Sequence, residues 1–176
     1  MSANERRVVS GAGGWSISPG EPDLALVPLR AVPASLRATV ALETSVTEAI
    51  AARYGEAPMV TVEFEGDAQA LAWEAELLGI DAPGCRARHV SLWAGGEPVV
   101  HARSLAPAST RGDALLRELG TRALGSLLFT VPAWTREGPV LPVRAGVAYG
   151  RVSLWRYGPD GGGLLVTECF AAPLTS

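Results

Sequence analysis

Residues 86–107, RARHVSLWAGGEPVVHARSLAP, predict a β-hairpin, and this hairpin decides the fold class. The runs 86–94 and 99–107 have the composition of strands, and the GGEP segment that joins them supplies the glycines of a tight turn. A second hairpin is predicted near the end of the chain, where AGVAYGRVSLWRY (145–157) and LLVTECFAA (164–172) flank the turn GPDGGG. Because a hairpin joins neighbouring antiparallel strands, the two together indicate a largely antiparallel sheet.

The segment before the first hairpin predicts one helix and one strand. Ser45 followed three residues later by Glu48 is a capping-box pattern, so a helix is expected from there to about Tyr54, ended by Gly55. Residues 59–66, MVTVEFEG, then alternate apolar and polar side chains, which is typical of a half-exposed strand.

Helical spacing returns on both sides of the first hairpin. Residues 67–79, DAQALAWEAELLG, predict a short helix, and residues 112–129, GDALLRELGTRALGSLLF, predict two helical pieces separated by Gly120. The segment 131–140, VPAWTREGPV, fits either a loop or an edge strand. Together these elements indicate an α+β domain, with helices on one side of an antiparallel sheet or at its ends.

The first 32 residues differ in composition from the rest of the chain. They are rich in glycine, proline and serine, so we expect a partly ordered N-terminal arm over 1–32, with Trp15 packed against a single domain over 33–176. The GAGG segment of this arm is not followed by a helical pattern, which favours a flexible arm over a dinucleotide-binding loop. A chain of 176 residues has the usual length of one domain.

The composition argues against several classes of protein. Hydrophobic residues make up 48% and charged residues 19% of the chain, a balance typical of folded globular proteins. A formal net charge of -3 argues against nucleic acid as a partner, because binding to phosphates requires a surplus of basic side chains. The N-terminus lacks the apolar core of a signal peptide, and no apolar run approaches the roughly 18 to 20 residues that cross a bilayer. We therefore expect a cytoplasmic protein without a membrane partner. We also expect a monomer.

The cysteines and histidines do not form a recognisable site. Cys85 and Cys169 are too few for the disulfide framework of a secreted protein, and we expect reduced, half-buried thiols. His89 and His101 lack a third ligand at a metal-binding spacing. No metal site is therefore expected, and both rings are expected to be solvent-facing or half-buried.

Two charged residues interrupt the apolar faces of predicted strands. Because side chains alternate along a strand, Arg88 lies on the same face as Val90. By the same rule, Glu168 shares its face with Val166 and Phe170 in the last strand. A buried guanidinium without an anion is costly, so these residues predict a pair of opposite charges inside an apolar enclosure.

The residues alone leave two interpretations of this pair open. In one, Arg88 and Glu168 form a direct salt bridge between two strands. In the other, they stand apart and hold the two ends of a small polar ligand, whose anionic end meets Arg88 in a bidentate fork. Arg103 and Arg151 also fall within strand patterns, where each either lines the opening of a cavity or is solvated or ion-paired.

Several segments, in their order along the chain, resemble the chorismate lyase family of bacterial enzymes. They are RHVSLWAGGEPVVHARSLAP, LGTRALGSLLF, WTRE, YGRVSLWRY and LLVTECFAAP, preceded by LETSVTEAIAARYGEAPMVTVEFEG, and the similarity covers about residues 33–173. No single segment is a strict signature, and the resemblance depends on their order. It implies a six-stranded, largely antiparallel sheet with helices packed against it, and an enclosed site closed by flaps.

The resemblance also implies a reaction and a set of site residues. Members of the family remove pyruvate from chorismate and leave 4-hydroxybenzoate, without a metal or an organic cofactor. Arg88 matches the arginine that holds the ring carboxylate, and Glu168 matches the glutamate that contacts the oxygen on the opposite side of the ring. Val46 and Leu124 match positions that contact the ligand.

Three departures from the family pattern keep other functions open. Residues 67–84 do not match closely, Val46 stands where a family member carries methionine, and the N-terminal arm belongs to this chain alone. One alternative is a related enzyme that acts on another ring acid in specialised metabolism, and another is a non-catalytic sensor domain for a small aromatic acid. If chorismate is the substrate, Arg103 or Arg151 is expected to hold its second carboxylate.

Overall fold

A seven-stranded antiparallel sheet organises the computed structural model, which describes residues 22–81, 84–159 and 161–175. The strands, numbered along the chain, are β1 (Leu24–Leu26), β2 (Met59–Gln69), β3 (Gly84–Ala94), β4 (Glu97–Pro107), β5 (Trp134–Ala145), β6 (Ala148–Tyr157) and β7 (Gly163–Phe170). Their order across the sheet is β1-β5-β6-β7-β4-β3-β2, and each neighbouring pair is antiparallel. Trp15, which was expected to pack against the domain, lies outside the described residues, and so does the GAGG segment.

The sheet has one strand more than the six expected. The additional strand is β1, in which Leu24 lies opposite Ala145 of β5 and Leu26 lies opposite Val143. This strand is only three residues long and follows a segment rich in glycine and proline, so no alternation marks it in the sequence. The segment 131–140 was expected to be a loop or an edge strand, and it contributes the start of β5. Strand β5 pairs with β1 on one side and with β6 on the other.

Five short α-helices lie in the described part of the chain. They are α1 (Arg37–Val40), α2 (Val46–Tyr54), α3 (Ala72–Leu78), α4 (Arg111–Glu118) and α5 (Leu124–Thr130). Two short 3-10 turns, Leu29–Ala31 and Ala34–Leu36, precede α1. No helix among the described residues is long and apolar enough to span a membrane.

The capping residues predicted for α2 are confirmed. The Ser45 hydroxyl accepts a hydrogen bond from the backbone N–H of Glu48 at 3.3 Å, and Gly55 ends the helix with a φ of 76°. This left-handed conformation favours glycine, which has no Cβ to clash with the backbone. The Ser45 cap fixes the start of α2, so Val46 and Thr47 lie in its first turn.

The helix predicted over 67–79 is wrong at its start. Strand β2 continues to Gln69, and α3 begins only at Ala72. Pairing with β3 along residues up to Gln69 overrides the local helical spacing. The carboxylate of Glu74 then accepts a hydrogen bond from the backbone N–H of Leu71 at 2.9 Å and caps the helix.

Both predicted hairpins are confirmed. Strands β3 and β4 are joined by Gly95 and Gly96, whose φ values of 61° and 81° favour residues without a Cβ. Strands β6 and β7 form the second hairpin. Gly120 separates α4 from α5, as the sequence predicted.

Helices cover both faces of the sheet, whereas the sequence indicated one face or the ends. Helix α3 packs through Leu78 into a core that contains Ala87 of β3. On the other face, α2 packs into a core that contains Val90, and α4 and α5 pack into a core that contains Val166. Ala87 and Val90 are an odd number of residues apart on one strand, so they point to opposite faces.

Both cysteines are free thiols, but they are fully buried rather than half-buried. Burial raises the pKa of Cys85 to about 11, and the charge of Glu74 adds to this effect. Burial likewise raises the pKa of Cys169 to about 12, with a further contribution from the charge of Glu168. Both thiols are therefore protonated at neutral pH, which argues against a role as nucleophile.

Candidate functional site

One pocket lies between the sheet and the first turns of α2 and α5. The pocket is partly open to solvent. The residues that line it are Thr47, Arg88, Val90, Leu92, Ala102, Ser104, Ala123, Leu124, Gly125, Val166 and Glu168. Most of these residues are apolar or small, and Arg88 and Glu168 are the charged residues among them.

The strand register sets the separation of the two charged residues. Arg88 of β3 lies opposite Ser104 of β4, and Glu168 of β7 lies opposite Ala102 of β4. Strand β4 therefore runs between the strands that carry the charges, which places their backbones about 10 Å apart across the sheet, or two strand spacings. The small side chains of Ala102 and Ser104 leave space above β4, between the guanidinium and the carboxylate.

Arg88 is a buried cation with an unused donor. It is 1% exposed, and its Nη2 donates to the carbonyl oxygens of Gly120 and Arg122 at 2.8 and 3.2 Å. Its Nε has no hydrogen-bond partner and lies 4.0 Å from a carboxylate oxygen of Glu65. Burial lowers the pKa of Arg88, and the charge of Glu65 opposes this, but an arginine side chain stays cationic in proteins. Such a group at a pocket wall favours the binding of an anion.

Glu168 pairs with Arg151 and not with Arg88. The Nε of Arg151 donates to Oε2 of Glu168 at 2.9 Å, and the two side chains are 3% and 9% exposed. The direct salt bridge considered between Arg88 and Glu168 is therefore not formed. The two side chains stand apart in one pocket, and their part in binding a ligand stays a prediction.

The two other candidate arginines do not line the pocket. Arg151 lies behind Glu168, where its Nη2 donates to the carbonyl oxygen of Thr44 at 3.1 Å and its Nη1 is buried without a partner. Arg103 points to the opposite face of the sheet, where Glu74 accepts two hydrogen bonds from it at 2.9 and 3.0 Å. This placement corrects the expectation that Arg103 reaches a ligand, because the sheet separates it from the pocket.

Of the two apolar site residues, Leu124 lines the pocket and Val46 lies just outside it. Val46 is 2% exposed and belongs to the core, while the next residue, Thr47, lines the pocket. No sequence pattern singled out Thr47, Ala102 or Ser104. Alternation along β4 would have identified Ala102 and Ser104 if the register of that strand had been known, whereas Thr47 has no comparable signal.

The histidines lie on the face of the sheet away from the pocket. His89 is 2% exposed, which is more buried than expected, and its Nε2 lies 3.0 Å from Nη1 of Arg103. His101 is half-buried, as expected, and its Nδ1 lies 2.7 Å from the hydroxyl of Ser91. In the part of the chain that the structure describes, no cluster of three or more potential ligands is arranged to hold a metal ion.

The fold and the pocket together define a class of protein. An antiparallel sheet, covered by helices, carries a pocket with a cation at one end and a carboxylate at the other. These features describe an α+β domain whose pocket carries both a buried cation and a buried carboxylate.

Comparison with known proteins specifies this class further. The family model for chorismate lyase matches residues 27–175, so the chain belongs to the chorismate lyase family. The chorismate pyruvate-lyase of Cronobacter sakazakii is 40% identical over 123 residues, which cover 65% of this chain and 70% of the relative. The probable chorismate pyruvate-lyase of Dechloromonas aromatica is 33% identical over 126 residues, which cover 62% of this chain and 72% of the relative. The resemblance carried by the ordered segments is confirmed.

Two solved structures of PhnF from Mycobacterium smegmatis match part of this chain. The effector domain of PhnF from Mycobacterium smegmatis matches with a TM-score of 0.48 and 18% identity, covering 72% of this chain and 88% of that domain. The longer PhnF structure matches with a TM-score of 0.49 and 18% identity, covering 73% of this chain and 64% of that structure. A likeness at this level does not extend to function.

Proposed function

We propose that this protein is a chorismate pyruvate-lyase, which eliminates pyruvate from chorismate and leaves 4-hydroxybenzoate. Membership of the chorismate lyase family supports the proposal, as do the two relatives that carry this name. The single observation that carries it is the placement of Arg88 and Glu168 in one pocket without a bond between them. We also propose that the enzyme acts in the cytoplasm as a monomer and without a cofactor.

The two charged side chains act as handles at opposite ends of the substrate ring. Arg88 binds the ring carboxylate, because it is the cation that lines the pocket and its Nε has no hydrogen-bond partner. Glu168 accepts a hydrogen bond from the ring hydroxyl through Oε1, because Arg151 already holds Oε2. Apolar contacts from Val90 and Leu124 enclose the ring between them.

The reaction needs little from the protein beyond orientation and charge. The bond from the ring to the enolpyruvyl oxygen breaks, and the ring carbon that bears the hydroxyl loses its proton. The ring becomes aromatic, while the enolpyruvate takes up a proton and leaves as pyruvate. Aromatisation drives this elimination, so the protein contributes mainly placement and electrostatic stabilisation. Glu168 is the carboxylate in the pocket available to take up the ring proton.

A direct assay tests the proposal. Purified protein incubated with chorismate is expected to release pyruvate and 4-hydroxybenzoate in equal amounts, the first measured by a coupled dehydrogenase assay and the second by chromatography. The Glu168→Ala variant is the control for spontaneous breakdown of chorismate. Binding of 4-hydroxybenzoate without turnover would indicate a sensor domain, and inertness towards both compounds would indicate a different ring acid.

We expect 4-hydroxybenzoate to be a strong competitive inhibitor. The ring carboxylate and the ring hydroxyl both survive the reaction, so the same two handles bind product and substrate, and product release should be slow. Added 4-hydroxybenzoate should therefore raise the apparent KM for chorismate and leave kcat unchanged in initial-rate measurements. Phenol, which lacks the carboxylate, serves as the control and should inhibit weakly. Indifference to high concentrations of 4-hydroxybenzoate would count against this site.

A further inference from the structure

Arg151 and Glu168 lie directly opposite each other on β6 and β7. The hydrogen bond from Nε to Oε2 is 2.9 Å long, and the side chains are 3% and 9% exposed. The neighbouring Gly150 lets the two strands approach closely, because a Cβ at that position would overlap the carbonyl oxygen of Glu168. The two side chains of this ion pair are therefore buried and project from closely spaced strands. The ion pairs of mobile surface side chains are held less firmly.

The same guanidinium also holds the helix that forms one wall of the pocket. Its Nη2 donates to the carbonyl oxygen of Thr44 at 3.1 Å, just before the N-cap residue of α2. Thr47, in the first turn of that helix, lines the pocket. The planar fork of Arg151 thus ties the carboxylate of Glu168 to the α2 wall.

We infer that Arg151 is a positioning residue, which holds Oε2 of Glu168 so that Oε1 is presented to the ring hydroxyl of the ligand. This inference rests on the proposed function, because it takes Glu168 as the group that binds the hydroxyl. Arg151 itself does not line the pocket, and its one unpartnered donor, Nη1, is buried. It therefore acts through Glu168 and not through a contact of its own with the second carboxylate of the substrate.

A pair of ligands that differ only in the hydroxyl tests this inference. Both 4-hydroxybenzoate and benzoate carry the carboxylate expected at Arg88, so the ratio of their dissociation constants measures the contact between the hydroxyl and Glu168. We expect the wild-type protein to prefer 4-hydroxybenzoate by about tenfold or more. The Arg151→Met variant should lose most of this preference, while its affinity for benzoate changes by less than about twofold.

A double variant keeps the test independent of folding. Arg151→Met alone leaves the carboxylate of Glu168 buried without its cation, which destabilises the fold, whereas Arg151→Met with Glu168→Gln removes both charges. If Arg151 acts only through Glu168, the double variant has the same ligand preference as Glu168→Gln alone. Arg156→Met is the matched control, because Arg156 lies on the same strand in an exposed ion pair with Glu137 at 2.6 Å. It should keep the wild-type preference.

Several outcomes would overturn the inference, and each would do so in a distinct way. A folded Arg151→Met variant that keeps the wild-type preference excludes the positioning role, as does a double variant with less preference than Glu168→Gln alone. A raised KM for chorismate in the Arg151→Met variant, with unchanged affinity for 4-hydroxybenzoate and benzoate, would show a direct contact between Arg151 and the second carboxylate of the substrate. A wild-type protein without any preference would show that Glu168 does not bind the hydroxyl. If the preference behaves as expected but chorismate is not turned over, the proposed activity fails and the positioning role stands.

Discussion

The Arg88→Ala variant is expected to bind 4-hydroxybenzoate about 30-fold to 1000-fold more weakly than the wild-type protein, a loss of roughly 2 to 4 kcal/mol. Arg88 is 1% exposed, and it is the cation among the residues that line the pocket. A carboxylate that enters this pocket loses its hydration and needs that cation as compensation. Benzoate should lose as much affinity as 4-hydroxybenzoate, because both depend on the carboxylate. Isothermal titration calorimetry measures both constants.

Arg86→Ala is the matched control for this experiment. Arg86 lies two residues before Arg88 on the same face of β3, but it pairs with Asp113 at 2.8 Å and does not line the pocket. Its replacement should weaken ligand binding far less than replacement of Arg88, because Arg86 does not contact the pocket. Thermal unfolding of each variant separates loss of binding from loss of folding, since Arg88 also holds backbone carbonyls between α4 and α5. If a folded Arg88→Ala variant binds as the wild type does, Arg88 does not hold the carboxylate.

The two charged pocket residues that the sequence identified are ones whose facing depends on a single strand. Side chains alternate along a strand whatever its neighbours are, so Arg88 and Glu168 could be assigned to apolar faces before the strand order was known. The start of α2 was predictable for a similar reason, because Ser45 and Gly55 act on the helix locally.

Positions that depend on pairing between strands were not predictable, and Arg103 shows why. Counting outwards from the turn between β3 and β4 would place Arg103 opposite Arg88, on the pocket face. An irregularity after Leu92 shifts the register by one residue, so Ser104 takes that place and Arg103 turns to the other face. No feature of the sequence pattern marks this shift.

The pairing of Glu168 with Arg151 was not predictable for a related reason. Arg151 and Glu168 belong to the two strands of one predicted hairpin, but the connecting segment GPDGGG is long enough to allow several registers. The sequence therefore indicated that both residues lie in strands without indicating that they are opposite each other. The ion pair that follows from their register is what leaves Arg88 free of Glu168.

Replacement of Glu74 by alanine is expected to have the largest effect on stability, a loss of about 3 to 5 kcal/mol. Glu74 accepts two hydrogen bonds from Arg103 at 2.9 and 3.0 Å, and both side chains are 1% exposed. Its removal leaves the guanidinium of Arg103 buried without an anion, and it also removes the cap of α3. Urea denaturation followed by circular dichroism measures the free energy of unfolding.

Replacement of both Glu74 and Arg103 tests whether the unpaired cation causes the loss of stability. The double variant Glu74→Leu with Arg103→Met should recover most of the stability lost in Glu74→Ala, because two apolar side chains replace a buried charge pair. Since this pair lies on the face of the sheet away from the pocket, the affinity for 4-hydroxybenzoate should stay within about twofold of the wild type. A folded double variant that binds about tenfold more weakly would place Arg103 in the ligand site after all. A double variant as unstable as Glu74→Ala would show that the lost cap of α3, and not the unpaired guanidinium, accounts for the destabilisation.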